Sequence, residues 1–238
     1  MVTDISKINE QEAFTHWYQE IYRMSDLEKV GVEYLFRKSS YSENLNHFFQ
    51  GEKERGNSYK LNMLSMRKAF STYSFQLMSG VLFLNVIPST IMHPDFPEQL
   101  TELVRNKRMS SKNIVLDVIE LDEINDRNKF IERVKYVKSF DFMIALSNVD
   151  KDLTTLYALI ELEPDYIKLD TYFSDRLSRS RKKQRMIQMV MDYFMESDTQ
   201  LILDGIEKLE DLYIAQTLGV HLCKGHLLHK PQPIITDQ

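Results

Sequence analysis

The chain has few of the residues that would cross-link it or divide it. Its single cysteine, Cys223, excludes an internal disulfide and suits a reducing compartment. Only 7 glycines and 6 prolines occur in 238 residues. No Pro/Gly-rich or low-complexity stretch marks a hinge, so the simplest expectation is one domain over residues 1–238. No apolar run approaches the roughly 18 residues of a membrane span, and the start "MVTDISKINEQEAF" has neither a basic nor an apolar leader region. The chain therefore reads as cytoplasmic, with no membrane partner. Positive charge is not in excess either. The formal net charge is -5, whereas nucleic-acid backbones select a basic surface, so a nucleic-acid partner is not expected.

What is present is alternation. Short apolar or β-rich runs fall at 16–22, 29–37, 80–88, 113–121, 141–147, 165–170, 200–205 and 220–228. Segments with apolar residues at helical spacing fall at 62–78, 96–107, 126–140, 152–162, 182–197 and 208–219. Strands that are apolar on both faces, alternating with amphipathic helices, indicate a parallel sheet covered by helices. The expected fold class is α/β, a TIM-type (β/α)8 barrel, with a doubly wound open sheet as the alternative. Only "RMSDLEK" joins the first two strands, too short for a helical crossover, so this pair should be antiparallel.

Most of the runs are interrupted by one polar group: Glu33 in "VGVEYLF", Asn85 in "LFLNVIP", Asp117 in "IVLDVIE", Lys168 in "YIKLD", Asp204 in "LILDGIE" and Lys224 in "HLCKGH". The run "FMIALSNVD" ends instead on the neutral Ser147 and Asn148. Burying an unpaired charge is costly, so these groups need partners or a ligand. A barrel can gather them at its C-terminal mouth. Carboxylates with an amide and a lysine suit a magnesium-assisted phosphodiester hydrolase, in which metal ions clamp phosphate oxygens and activate water. The competing reading is a buried salt-bridge network with no metal.

At these residues the chain resembles the EAL domain family, bacterial cyclic di-GMP phosphodiesterases and receptors. "YQEIY" is similar to the family's "YQPI", keeping Gln19, and "GVEYLFR" to "G-x-E-A-L-L-R", keeping Glu33, Leu35 and Arg37. "LNVIP" matches "vNLSP" at Asn85, and "LDVIE" matches "LEITE" with Asp117 for the first glutamate and Glu120 for the second. "IALSNVDKDLTTLYALIELEPDYIKLD" follows "IALDDFGTGYSSLxxLxxLPVDYIKID" without a gap, keeping Lys168 and Asp170. The C-terminal stretch resembles "AEGVETxxQxxxLxxLGCDxxQGYxFxKP", keeping Gly205, Glu207, Gly219, Gly225 and Pro231.

The resemblance implies that Ser147 and Asn148 stand where the family has two metal-holding aspartates. It also implies that Asp117 and Asp204 replace longer glutamates, and that Lys224 replaces a glutamine. Two negative charges are lost and one positive charge gained. One unit charge at about 4 Å is worth about 4 kcal/mol at an effective dielectric near 20, so a single such change removes much metal affinity. The loop after Ser147 also has Asp150 and Asp152 where the family has glycines, which restricts its backbone. The expectation is an inactive EAL domain with no catalytic residue in working order and no cofactor, acting as a nucleotide receptor or a protein-interaction regulator. The alternative is a weak phosphodiesterase with magnesium or manganese held by Glu33, Asn85, Asp117 and Asp204. Candidate cyclic di-GMP contacts implied by the family are Gln19, Leu35, Arg37, Glu207 and Lys224. Arg37 suits a phosphate through its planar fork.

Three further signals remain. The segment 176–185 carries six basic residues in ten and reads first as a solvated, mobile loop, second as a surface for a protein partner. A homodimer is compatible with the sequence. His221, Cys223, His226 and His229 fit no closed zinc spacing, and the methionines of "RMIQMVMDYFM" read as core packing.

Overall fold

The computed structural model describes residues 14–38, 57–73, 80–119, 124, 126–147 and 159–234, without the side chains of residues 14 and 36–38. Nine strands are found among them: β1 (Phe14–Arg23), β2 (Lys29–Lys38), β3 (Val81–Val86), β4 (Ile114–Val118), β5 (Met143–Ser147), β6 (Tyr166–Leu169), β7 (Gln200–Leu203), β8 (Leu222–Cys223) and β9 (Gln232–Pro233). Strands β2 to β8 run parallel in chain order. β1 lies antiparallel between β8 and β2 and closes the ring, while β9 pairs with β1 outside it. Ring closure through β1 excludes the doubly wound sheet and confirms the antiparallel first pair.

The helices that cover the ring are α1 (Ser58–Thr72), α2 (Pro88–Ile91), α3 (Phe96–Asn106), α4 (Arg127–Lys138), α5 (Thr171–Ser174), α6 (Arg181–Tyr193) and α7 (Leu209–Thr217). Local chemistry sets their ends. Asp126 caps α4 by accepting from the Lys129 backbone N–H at 3.1 Å, and Lys135 and Lys138 sit in its last turn, where the helix dipole favours cations. The helix expected at 152–162 appears as its last turn, 159–162, the rest lying outside the described residues.

The strands' two faces do different work. Outward residues such as Leu82, Leu84, Leu116, Ile144, Leu146, Ile167 and Leu203 join the helix faces in the main core. Inward residues Ile21, Phe83, Val115, Ala145, Ile202 and Leu222 form an apolar plug inside the ring. Because side chains alternate along a strand, the inward position two residues later on each strand lies one layer nearer the C-terminal mouth. Asn85, Asp117, Ser147, Asp204 and Lys224 occupy that layer above Phe83, Val115, Ala145, Ile202 and Leu222.

Three expectations are corrected. The run 220–228 is a two-residue strand followed by turns, because Gly225 lets its backbone approach Ile206 so closely that a Cβ would lie 2.1 Å from the Ile206 carbonyl oxygen. The segment 176–185 is not a loop: residues Leu177–Arg179 form a 3-10 turn with Leu177 fully buried, and Ser180 caps α6 by accepting from the Lys183 N–H. The methionines of α6 do not all pack inward, since Met186 and Met189 are 43% and 65% exposed while Ile187 is buried.

Candidate functional site

The polar layer is held at one height by register. Gln19 lies opposite Glu33, Asn85 opposite Asp117, and Ser147 opposite Lys168. β7 and β8 end one residue short of Asp204 and Lys224, whose backbone N–H groups bond to Leu169 and Leu203 carbonyls at 2.9 and 3.1 Å. Gly205 follows at φ +80, where a Cβ would meet the Thr171 hydroxyl at 2.4 Å, so the turn beside Asp204 requires glycine.

Within this layer the charges are paired with one another. Glu33 is bridged by both lysines: its Oε1 accepts from Lys168 at 3.0 Å and its Oε2 is in direct contact with the Lys224 ammonium. Asp117 accepts from Lys168 on Oδ2 and from the Ser147 hydroxyl on Oδ1, the latter at 2.5 Å. Lys224 also meets Asp204 Oδ2 at 3.1 Å and the Gln19 amide oxygen at 3.4 Å. Glu33, Asp117 and Lys224 are buried, while the side chain of Asp204 is 24% exposed at the rim.

Electrostatics follow from this packing. Burial opposes ionisation of Glu33, but the ammonium groups of Lys168 and Lys224 outweigh it and hold the carboxyl well below the usual carboxylate range. Burial likewise disfavours charged Lys168, yet Asp117 and Glu33 keep it protonated beyond the ordinary lysine range. For Asp204 burial wins and pushes the carboxyl up, with Lys224 opposing.

The remaining candidates are placed less centrally. Asn85 lies in the layer, but its side-chain oxygen is buried without a hydrogen-bond donor. Gln19 donates to the His229 carbonyl at 3.0 Å. Leu35 is half-buried near the end of β2. Glu207 stands outside the network, exposed and 3.5 Å from His226. The Arg37 side chain, Glu120, Asn148, Asp150 and Asp152 lie outside the described residues. Sequence reasoning missed Asn62 of α1, which donates to the Asn85 carbonyl at 3.0 Å and accepts from the Ile87 N–H at 3.3 Å, pinning the end of β3. The His/Cys group does not converge: His221 accepts from the Leu201 N–H at 3.0 Å, and Cys223 is buried, its thiol pushed up to about 12 by that burial. No cluster of metal-ligating side chains occurs among the described residues.

A barrel of this kind places its functional site at the C-terminal mouth, where the charged layer lies. The EAL domain family matches residues 3–231, and the chain belongs to that family. It is 21% identical over 182 residues to the blue light- and temperature-regulated antirepressor BluF of Escherichia coli, covering 76% of this chain and 45% of the relative. It is 23% identical over 239 residues to the cyclic di-GMP phosphodiesterase PdeA of Borreliella burgdorferi, covering 97% of this chain and 35% of the relative. The chain thus spans less than half the length of these relatives.

Among solved structures, Klebsiella pneumoniae BlrP1 in a manganese and cyclic di-GMP complex superposes with TM-score 0.82 at 20% identity, over 93% of this chain and 56% of that one. The Xanthomonas citri FimX EAL domain in complex with cyclic di-GMP gives 0.81 at 14%, over 96% and 91%. These likenesses establish the fold. No helix among the described residues is long and apolar enough to cross a membrane.

Proposed function

We propose that this is a non-hydrolysing EAL domain of cyclic di-GMP signalling, in which an internal salt-bridge network stands in place of the metal centre. The observation that carries this reading is the Lys224 ammonium seated against Glu33 and Asp204. A divalent ion needs free oxygen ligands. Here both oxygens of Glu33 and both of Asp117 already accept from Lys168, Lys224 or Ser147. Among the described residues of the layer, Asn85 offers a buried side-chain oxygen with no donor. A metal would have to displace a buried ammonium group that two carboxylates hold, so the residues present do not fit a metal pair. Without it, no described group in the layer is set to generate a hydroxide nucleophile at neutral pH.

The domain then acts by binding. EAL-fold structures that hold cyclic di-GMP support a receptor, here metal-independent, with the nucleotide held at the mouth rather than by Lys168 and Lys224, which Glu33, Asp117 and Asp204 already neutralise. The exposed face of α6 supports a protein-interaction role as the second form of the same reading. Titration calorimetry with cyclic di-GMP, with and without magnesium, combined with chromatography of the products, separates these. Binding without turnover supports the receptor. No binding and no turnover leaves the interaction role. Metal-dependent conversion to the linear dinucleotide, lost in Glu33→Ala, would overturn the proposal.

A further inference from the structure

The barrel is also hollow at the end opposite the charged layer. Val81, Tyr166, Gln200 and Leu222 begin β3, β6, β7 and β8, and Arg23 ends the antiparallel β1, so all of them stand at the N-terminal end of the ring. A cavity of about 780 Å³ lies among them and reaches Phe83 and Leu222 of the apolar plug. Its size falls within the roughly 300–1,000 Å³ of small-molecule sites. The space has a structural cause. β8 is only two residues long, and Val220, two positions before Leu222, packs in the main core instead of beneath the plug.

The lining divides by chemistry. Val30, Val81, Phe83 and Leu222 make an apolar floor, and the Tyr166 ring meets Phe83 edge-on at 5.1 Å. The Tyr166 hydroxyl has no hydrogen-bond partner among the described residues. Burial, and then nearby Asp165, raise its pKa, so it stays a donor at neutral pH. His221 is fixed as a second donor. Its Nδ1 accepts from the Leu201 N–H at 3.0 Å and burial lowers its pKa, which leaves the proton on Nε2. Arg23 adds no net positive charge, because its Nη1 already donates to Asp26 at 2.6 Å and to Glu28 at 3.4 Å. Two carboxylates on one guanidinium disfavour an anion, and the apolar floor disfavours a hydrated ion of either sign.

We infer that this cavity is a small-molecule site for a neutral heteroaromatic ring, packed on Phe83 and Tyr166 with an edge acceptor facing the Tyr166 hydroxyl and His221 Nε2. The site lies at the far end of the ring from the charged layer, so the inference is independent of the nucleotide reading.

Methyl-resolved NMR of the full chain, titrated with quinoline as the probe, tests it. Quinoline is a neutral two-ring acceptor, small enough that a dissociation constant of about 1 mM is expected. Saturable shifts should appear at Val30, Val81 and Leu222 and not at the exposed Met186 and Met189. Tyr166→Phe keeps the ring against Phe83 and loses only the hydroxyl, so the fold should persist while quinoline binds about fivefold more weakly. Benzoate, an anion of similar size, should bind at least about fivefold more weakly than quinoline. Absent shifts, or shifts that do not saturate by about 10 mM or that appear equally at Met186 and Met189, overturn the inference. So does benzoate binding as tightly as quinoline, or an unchanged affinity in Tyr166→Phe.

Discussion

Replacing Lys224 by glutamine perturbs the polar layer at its most connected point. The ammonium leaves Glu33 Oε2 and Asp204 Oδ2 without their cation. Three carboxylates against two ammonium groups carry one formal negative charge, and the substitution makes that two. Removing one partner of a buried ion pair costs about 3–5 kcal/mol. The Asp204 side chain is 24% exposed and Glu33 keeps Lys168, so about 3 kcal/mol is expected. In urea this lowers the unfolding midpoint by about 1 M at a slope near 3 kcal/mol/M. The same substitution frees carboxylate oxygens, so manganese should now stabilise the variant, by about 2.7 kcal/mol at 100 times its dissociation constant. The wild type should show no such shift. A variant that loses less than about 1 kcal/mol, or a wild type that manganese stabilises equally, would refute the claim that Lys224 fills the metal's place.

Other substitutions probe neighbouring contacts. Ser147→Ala removes the donor 2.5 Å from buried Asp117 and should cost about 1–3 kcal/mol by denaturant titration, with little loss if that hydrogen bond is unimportant. Asn85→Leu replaces a side chain whose oxygen is buried without a donor, so it should cost less than about 1 kcal/mol; a larger loss would show that the amide has a partner. His16 is buried, and this, with the nearby Lys68, lowers its pKa to about 4. Its folded pKa lies below the unfolded value, so its contribution is present above pH 6.5 and lost as pH falls toward 4. About 2 kcal/mol should disappear by about pH 5, and His16→Gln should remove that part of the acid sensitivity.

How much of this could be read beforehand differs by element. Asn85, Asp117, Lys168 and Asp204 were legible because each breaks a strand apolar on both faces, and the cost of burying them demands convergence. Ser147 and Gln19 gave no such signal, since a neutral side chain can end a strand for many reasons. Ser147 stood out only as a missing ligand, and the family resemblance was needed to give either residue a role. The Lys224–Glu33 contact joins the eighth strand to the second through ring closure, a pairing no local spacing encodes. The exposed face of α6 was misread because apolar residues recur at helical spacing on two of its faces. Ile187, Val190 and Met191 recur at helical spacing inward, and Met186, Met189 and Tyr193 recur at the same spacing outward. The segment 176–185 looked like a loop because its cations oppose the helix dipole, and the capping signal of Ser180 stood unremarked among them.

The central claim, that the domain binds without hydrolysing, is tested most directly by incubating the purified chain with cyclic di-GMP and manganese and following the linear dinucleotide by chromatography. The account predicts no product above the protein-free control, in wild type and in Glu33→Ala alike. Product that accumulates with manganese in the wild type and vanishes in Glu33→Ala would contradict it.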